Sequence, residues 1–410
     1  MASTVATQDD LAPAEDARAG VAPIRVAHVL HTFGMGGAER IAALLANYAD
    51  RESFRPIIVC LGENRAEGRW ELADDVAVVE LRKSSGNDAR VVFRLARVLR
   101  EHEVDVVHSN NWGTLLETSL ARRRAGVAHH VHVEHGAELA DLRLGFVKRK
   151  LRGMAMRWAF RRLDALVSVC DGVTQRLCQR YGVPAERVLR VANGVETPEG
   201  ATDPTHRARI RDELGVGPET CLVGSVGRLA PVKDFRTAID AVARLVRQGR
   251  DLALLLVGDG PERAALGERA ETAGIADRVH LVGEQGRVGP WLAAMDLYVN
   301  SSLSEGMSLS ILEGMSAGLP LVVTGVGESA SLLGGDGCGG LVVPPGSPDE
   351  SAAAIARLVG DASLRGRMGR IAQARFERCY TIREMVCRYE GLYRGLLSAK
   401  PCAISGTRNA

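Results

Sequence analysis

The chain has 410 residues, with 52 Lys and Arg against 50 Asp and Glu, for a formal charge of +2. That balance excludes a dedicated nucleic-acid binder, whose phosphate contacts need a clear basic excess, and a 46% apolar share excludes disorder as the dominant state. Aromatics make up only 4% while glycines number 45, which suits aliphatic strands under small-residue helices and loops that approach a ligand closely.

Residues 1–22 hold Asp9, Asp10, Glu15 and Asp16 and no apolar core, so they read as a disordered leader rather than a secretory signal. Short aliphatic runs then alternate with longer amphipathic segments. Strands are expected at 24–30, 56–61, 104–108, 130–134 and 165–169, then at 221–227, 252–257, 279–282, 297–300, 321–324 and 341–343. Helical patterns lie between them, among others at 37–48, 89–102, 235–248, 261–273 and 308–317. Near-continuous apolar strands in such alternation predict parallel sheets covered on both faces. Segment 193–220 has Asn193, Gly194, Pro198, Gly200, Pro204 and Pro218 and no apolar strand, so it reads as a linker. The expected organisation is an α/β fold of two doubly wound domains, 23–192 and 221–381, facing across a cleft. A helix at 382–398 packs back on the first domain, and 399–410 is a frayed tail. Ligands of such sheets bind outside the carboxyl ends of the strands.

None of the eight cysteines forms a C-x-x-C pair or sits near a His at metal-ligand spacing. They read as thiols of a reducing, cytoplasmic compartment, with no metal site. No stretch reaches the roughly 18 apolar residues that cross a bilayer.

The first strand runs into His31-Thr32-Phe33-Gly34-Met35-Gly36-Gly37-Ala38-Glu39-Arg40. Its glycines allow a sharp turn with exposed N–H groups at a helix start, an anion site. A dinucleotide-binding loop competes, with Glu63 as the ribose acid, but the third glycine of G-x-G-x-x-G is missing. Next, His108-Ser109-Asn110-Asn111-Trp112-Gly113 places Asn110, Asn111 and an exposed Trp112 at a strand end, which suits stacking on an acceptor sugar. His130 and His132 alternate on one strand face and read as buried structural histidines, while His135 emerges in the cleft. Segment 143–162 has eight basic residues, no acid, and interleaved Leu, Phe, Met and Trp. It fits either an interfacial helix on an anionic membrane or a solvated helix face.

After the strand ending at Gly227, Arg228 and Lys233 put two cations over one loop, suited to a diphosphate. Segment 301–313 follows a strand and enters a helix. Glu305 precedes that helix, Glu313 lies two turns inside it on nearly the same face, and Ser308, Leu309 and Ser310 fall in its first turn. Two acceptors for sugar hydroxyls thus flank a helix start able to hold an anion.

The stretch E-G-M-S-x-x-x-L-E-G-M-S-A-G-L-P resembles the signature of the family 4 glycosyltransferases of GT-B fold. The preceding G-R-L-A-P-V-K, V-G-D-G-P at 257–261, N-G-V at 193–195 and the M-G-G-A-E-R loop resemble that family too, over roughly 24–398. The resemblance implies two Rossmann-like domains and a retaining, metal-independent transfer from a nucleotide-diphosphate sugar, with a uridine donor favoured. No cofactor beyond that substrate is implied. The acceptor would be a saccharide or lipid-linked hydroxyl in bacterial exopolysaccharide or glycolipid assembly, on the inner face of the plasma membrane. It assigns Glu305 to the donor sugar's hydroxyls, Glu313 to the ribose diol, and Arg228 and Lys233 to the departing diphosphate. Backbone N–H groups of Ser308, Leu309 and Ser310 assist, Gly36 and Gly37 close over the phosphates, and the base lies near Val282, Gly283 and Glu284. His135 contacts the donor sugar near the reacting carbon; a general-base role for it stays open. Many relatives carry an acid after G-G-x-P; here the stretch is Gly325-Val326-Gly327-Glu328-Ser329-Ala330-Ser331, with Ser331 in that place or the acid moved to Glu328. A nucleotide-sugar epimerase, a phosphorylase-like enzyme and a non-catalytic sugar-nucleotide-binding scaffold are the alternatives on this architecture.

Overall fold

The computed structural model describes residues 22–34, 36–64, 71–84, 88–136, 146–334 and 338–398, with only the backbone of 146–148. Its first sheet is built from β1 (Ile24–Leu30), β2 (Phe54–Cys60), β3 (Ala77–Glu80), β4 (Val106–Asn110), β5 (His129–Glu134), β6 (Ala165–Ser168) and β7 (Val188–Arg190). The second is built from β8 (Cys221–Val226), β9 (Leu252–Val257), β10 (Val279–Leu281), β11 (Leu297–Asn300), β12 (Leu321–Thr324) and β13 (Gly340–Val343). Strand order is β3-β2-β1-β4-β5-β6-β7 in one and β10-β9-β8-β11-β12-β13 in the other, with every pairing parallel.

Helices cover both faces: α1 (Gly37–Tyr48), α2 (Arg90–Glu101), α3 (Trp112–Ala125), α4 (Phe146–Phe160), α5 (Asp171–Tyr181), α6 (Pro204–Glu213), α7 (Phe235–Arg247), α8 (Arg263–Thr272), α9 (Gly289–Ala294), α10 (Leu309–Ser316), α11 (Ser329–Leu332), α12 (Pro348–Val359), α13 (Ala362–Cys379) and α14 (Ile382–Ser398). Strand β9 shows why the sheets are double-faced: all of Leu252, Ala253, Leu254, Leu255, Leu256 and Val257 are buried, so both faces need apolar cover. On one of them α7 lays Ala238, Ile239, Val242 and Leu245, spaced as a single helical stripe. The strand order reverses between β1 and β4 and between β8 and β11, so each sheet opens its crevice there.

Two departures from the sequence reading have clear causes. The 193–220 linker carries α6. Its Pro204 sits at the first helical position, where a missing N–H costs nothing, and Asp203 caps it by accepting from Thr205 N at 2.8 Å. Arg207 and Arg211 of α6 both grip Asp296 just before β11, at 2.6 and 3.1 Å, so this helix belongs to the second domain. Strands β3 and β7 were not expected; they are short edge strands of four and three residues, none of them fully buried.

Helix α14 crosses back to the first domain. Tyr393 OH lies 2.7 Å from His108 Nδ1, and Glu390 accepts from Asp50 N at 2.8 Å. The rings of His108 and His28, register partners in β4 and β1, lie tilted with centroids 5.0 Å apart. Among the described residues no helix is long and apolar enough to cross a membrane.

Candidate functional site between the two sheets

The second domain's half begins where β8 ends. The loop Gly258-Asp259-Gly260 after β9 braces the loop after β8: Leu229 N donates to Asp259 O at 2.9 Å and Glu262 N to Leu229 O at 3.0 Å. A Cβ at Gly258 or Gly260 would overlap the carbonyl oxygens of Gly227 or Leu229, so only glycine permits this approach. A tight turn over Pro231–Lys233 ends at Asp234 in the left-handed region (φ 45°, ψ 47°), held by Thr237 Oγ1 donating to its carboxylate at 2.6 Å.

This turn aims Lys233 at Glu305, Nζ to Oε1 2.5 Å, and Ser302 Oγ donates to the same oxygen at 2.7 Å. Ser301 Oγ ties the segment down by donating to Lys233 O at 2.9 Å. Helix α10 starts at Ser308, whose side chain makes no capping bond to the first-turn N–H groups; its hydroxyl lies 3.2 Å from that of Ser310. Glu313 is buried one face along α10. Arg228 alone of the four charged residues is exposed, and its side chain has no partner among the described residues. Gly283 lies at the far side of the same crevice, paired with Gly258, and Glu284 is exposed beside it.

The first domain supplies the opposite wall. Gly36 caps α1, the Glu39 carboxylate folds over the position a Gly36 Cβ would take, and burial raises its pKa. Gly37 faces Leu309, 3.7 Å from where a Cβ would stand, so the starts of α1 and α10 oppose each other. One turn on, Arg40 Nη2 reaches Glu313 Oε1 at 2.6 Å. Past β5, the His135 carbonyl occupies the place of a Gly306 Cβ, so the Glu305-Gly306 loop fits only against this strand end because residue 306 is glycine.

His135 is held in one tautomer. Asn110 Nδ2 donates to the carbonyls of Val29 (3.3 Å) and His108 (3.4 Å), which turns Asn110 Oδ1 toward His135 Nε2 at 3.0 Å. Nε2 therefore carries the hydrogen, and the Nδ1 lone pair is buried without a partner. Burial first, and the neighbouring His132 second, pull the His135 pKa down to about 3. It is neutral and a poor proton acceptor, suited to hydrogen bonding rather than to general-base work. His130 and His132 are buried and share Ser109 Oγ, each at 2.7 Å, with His132 donating on to Glu134 at 3.1 Å.

Asn111 has φ 57° and ψ 159°, a region essentially reserved for glycine, and its Oδ1 accepts from His135 N at 3.1 Å. Strain at a ligand wall suggests a positioning role. Asn111→Gly is expected to leave thermal stability equal or higher, because relief of about 1–3 kcal/mol offsets the lost bond. Turnover should fall about 10–100-fold as His135 loosens. A melting scan beside a turnover assay checks this, and lower stability with unchanged turnover would contradict it.

Trp112 departs from expectation. It is half-buried rather than exposed, with the Arg152 guanidinium 3.4 Å over its ring and its Nε1 buried without a partner. The Lys83–Glu117 pair escaped the sequence reading, whereas Glu328 stood there as the alternative place of the expected acid. Lys83 pairs with Glu117 at 2.6 Å beside His31, and Glu328 is buried across the domain boundary, bonded to Arg190 and to Asp171 N. Glu328 is thus an interdomain tie. Arg40 lay inside the quoted M-G-G-A-E-R stretch, and only the folded cleft reveals its partner; Met35 of that loop lies outside the described residues. Among the described residues no group of three or more His, Cys, Asp or Glu gathers that could hold a metal ion.

Residues 35–199 match the family model described as Glycosyltransferase Family 4, and residues 220–361 match that described as Glycosyl transferases group 1. A D-inositol 3-phosphate glycosyltransferase of Kribbella flavida is 30% identical over 301 residues, covering 69% of this chain and 70% of that relative. An alpha-D-kanosaminyltransferase of Streptomyces kanamyceticus is 32% identical over 58% of this chain, and a lipopolysaccharide core glycosyltransferase of Rhizobium meliloti 35% over 51%. The chain spans only 62% and 58% of the length of these last two. Among solved structures, a glycosyltransferase of Rickettsia africae superposes with TM-score 0.78 at 16% identity, over 92% of this chain and all of that one. Anabaena HepE in complex with UDP also reaches 0.78, at 22% identity, over 91% of this chain and all of that one. The structural likeness shows the fold, the sequence matches show the lineage, and together they make the chain a member of glycosyltransferase family 4 with the GT-B architecture.

Proposed function

We propose that the protein is a retaining glycosyltransferase that moves a sugar from a UDP-sugar to a hydroxyl of a saccharide or lipid-linked acceptor in bacterial polysaccharide or glycolipid synthesis. The observation that carries this reading is the Lys233–Glu305 pair standing before the uncapped start of α10, with Glu313 on the same helix. A uridine donor is supported by the Anabaena HepE structures, solved with UDP and with UDP-glucose.

Chemistry follows from charge. The bond between the sugar's anomeric carbon and the diphosphate oxygen breaks, leaving negative charge on the diphosphate and positive charge on the carbon. Arg228, Lys233 and the N–H groups of Ser308, Leu309 and Ser310 meet the first, as fixed dipoles and cations that need no reorganisation. Glu305 and Glu313 orient the donor through sugar and ribose hydroxyls. The acceptor oxygen bonds to the carbon, and its proton passes to the leaving phosphate oxygen. His135 Nδ1, a bare acceptor, receives a sugar hydroxyl.

The test is incubation of the purified protein with labelled UDP-sugars and candidate acceptors, with and without chelator. Release of UDP coupled to labelled product supports the reading. Binding of a nicotinamide dinucleotide instead of UDP, or UDP-sugar binding without release under any acceptor, overturns it.

The membrane reading has its own support. Helix α4 exposes Leu151 (61%) and Met154 (55%) beside Lys150 and Arg157. A cavity of about 390 Å³ alongside is lined by Arg149, Lys150, Arg152, Arg157 and Arg180. Apolar tips ringed by cations match an anionic bilayer, each basic residue adding about 1 kcal/mol near the surface. Sedimentation with phosphatidylglycerol vesicles is expected to weaken about tenfold or more when Lys150 and Arg157 become Ala; unchanged sedimentation would reject membrane contact here. Residues 143–145 of the basic segment lie outside the described residues.

A further inference from the structure

Two of the cleft's charged pairs join cations to the carboxylates assigned to the donor. Lys233 is taken by Glu305 and Glu313 by Arg40, an arginine contributed by the opposite domain. We infer that Arg40 is a gate on the donor site: it occupies the ribose-binding carboxylate of Glu313 when no donor is bound, and exchanges it for the donor's diphosphate on binding. This rests on the function proposed above.

Three features of the geometry lead to the exchange. First, a ribose diol offers two hydroxyl donors, and gripping both takes both carboxylate oxygens. Glu313 Oε1 is closed to solvent and faces Arg40 Nη2 at 2.6 Å. The guanidinium therefore competes with a diol for Oε1. Second, that contact lacks hydrogen-bond alignment, so Oε1 has an ionic neighbour but no directed donor. Such a pair yields more readily than a bidentate fork. Third, Arg40 lies in the first turns of α1, whose start faces the start of α10 across Gly37 and Leu309. A diphosphate entering between two opposed helix starts arrives beside Arg40 and offers it a better partner. The folded-back Glu39 carboxylate covers the α1 start meanwhile, as an internal anion where the phosphates would come.

Arg40 and Lys233 thus each trade a carboxylate for a phosphate oxygen, and the freed carboxylates take hydroxyls. Because Arg40 and Glu313 belong to different domains, the same exchange couples donor arrival to the interdomain contact.

Calorimetric binding of two probes, uridine and UDP, separates this role from a structural one. Uridine has the diol and no phosphate. In Arg40→Ala, uridine should bind about 3–10-fold more tightly, because its competitor for Glu313 is gone. UDP should bind about 10–100-fold more weakly, because a charge-assisted phosphate contact is lost. Arg40→Gln, which keeps length without charge, should show the same divergence should the Ala variant fold poorly, and Arg40→Lys should recover part of the UDP affinity. Shifts of both probes in one direction, or in neither, overturn the gate while leaving the transferase reading intact. A wild-type protein that binds neither probe removes that reading, and the gate with it.

Discussion

Arg228→Ala is expected to lower turnover of the UDP-sugar by about 10²–10³-fold, the loss typical of removing one fixed stabiliser of developing charge. Folding free energy should change by no more than about 0.5 kcal/mol, as for other surface sites without partners. The reason is its setting: Arg228 is exposed at the end of β8, braced by the backbone of the Gly258–Gly260 loop, and engages no side chain among the described residues. No described residue pairs with its charge, which is why the loss is expected in turnover and not in stability.

Lys233→Ala should cost a similar factor in turnover but also destabilise by about 1–2 kcal/mol, since Glu305 would stand half-buried without its cation. The contrast between the two variants is the informative part. Equal stability losses would mean that Arg228 has a hidden structural partner. Full turnover in Arg228→Ala would remove it from the diphosphate site. Urea unfolding beside initial rates of UDP release measures both.

Local signals were the legible ones. The apolar run 24–30 and the pattern 37–48 coincide with β1 and α1, because a buried parallel strand and an amphipathic helix each write their own period into the chain. The Gly227–Lys233 and Ser301–Glu313 segments were legible as well, since a strand end, a glycine and a helix start are adjacent in sequence. Arg40–Glu313 and Arg190–Glu328 were not. Each joins the two domains, so it exists only once both sheets have folded and met, and no short-range pattern encodes it. The burial of Trp112 under Arg152 has the same origin, a contact between α3 and α4. Helix α6 was hidden for a different reason: Pro204 and its flanking glycines resemble a linker until their cap positions are known.

Acidification should unfold the protein earlier than its carboxylates alone would dictate. Burial lowers His28 to about 4 and His135 to about 3, and holds His108 and His130 well below the ordinary histidine range. In the unfolded chain each titrates near about 6.5. Between those values the unfolded state binds protons that the fold refuses. Stability is therefore fully present above about pH 6.5 and is lost as pH falls below it, by up to about 1.4 kcal/mol per pH unit for each histidine and about 5 for the four together. Glu39, Glu328 and Glu390, whose pKa values burial raises, take up protons in the fold first and offset part of this at the acid end of the window. Against a total of about 5–15 kcal/mol, a loss of that slope is a large share of the stability. Urea unfolding at pH 8, 7, 6 and 5.5 should give a plateau, then a steep fall; a flat profile down to pH 5 would contradict it. His28→Leu removes one contribution and breaks no bond at Nδ1, which is buried without a hydrogen-bond partner. It should make the fall shallower by about 1.4 kcal/mol per pH unit. An unchanged slope would mean that His28 already carries a proton in the fold, 5.0 Å from the His108 ring.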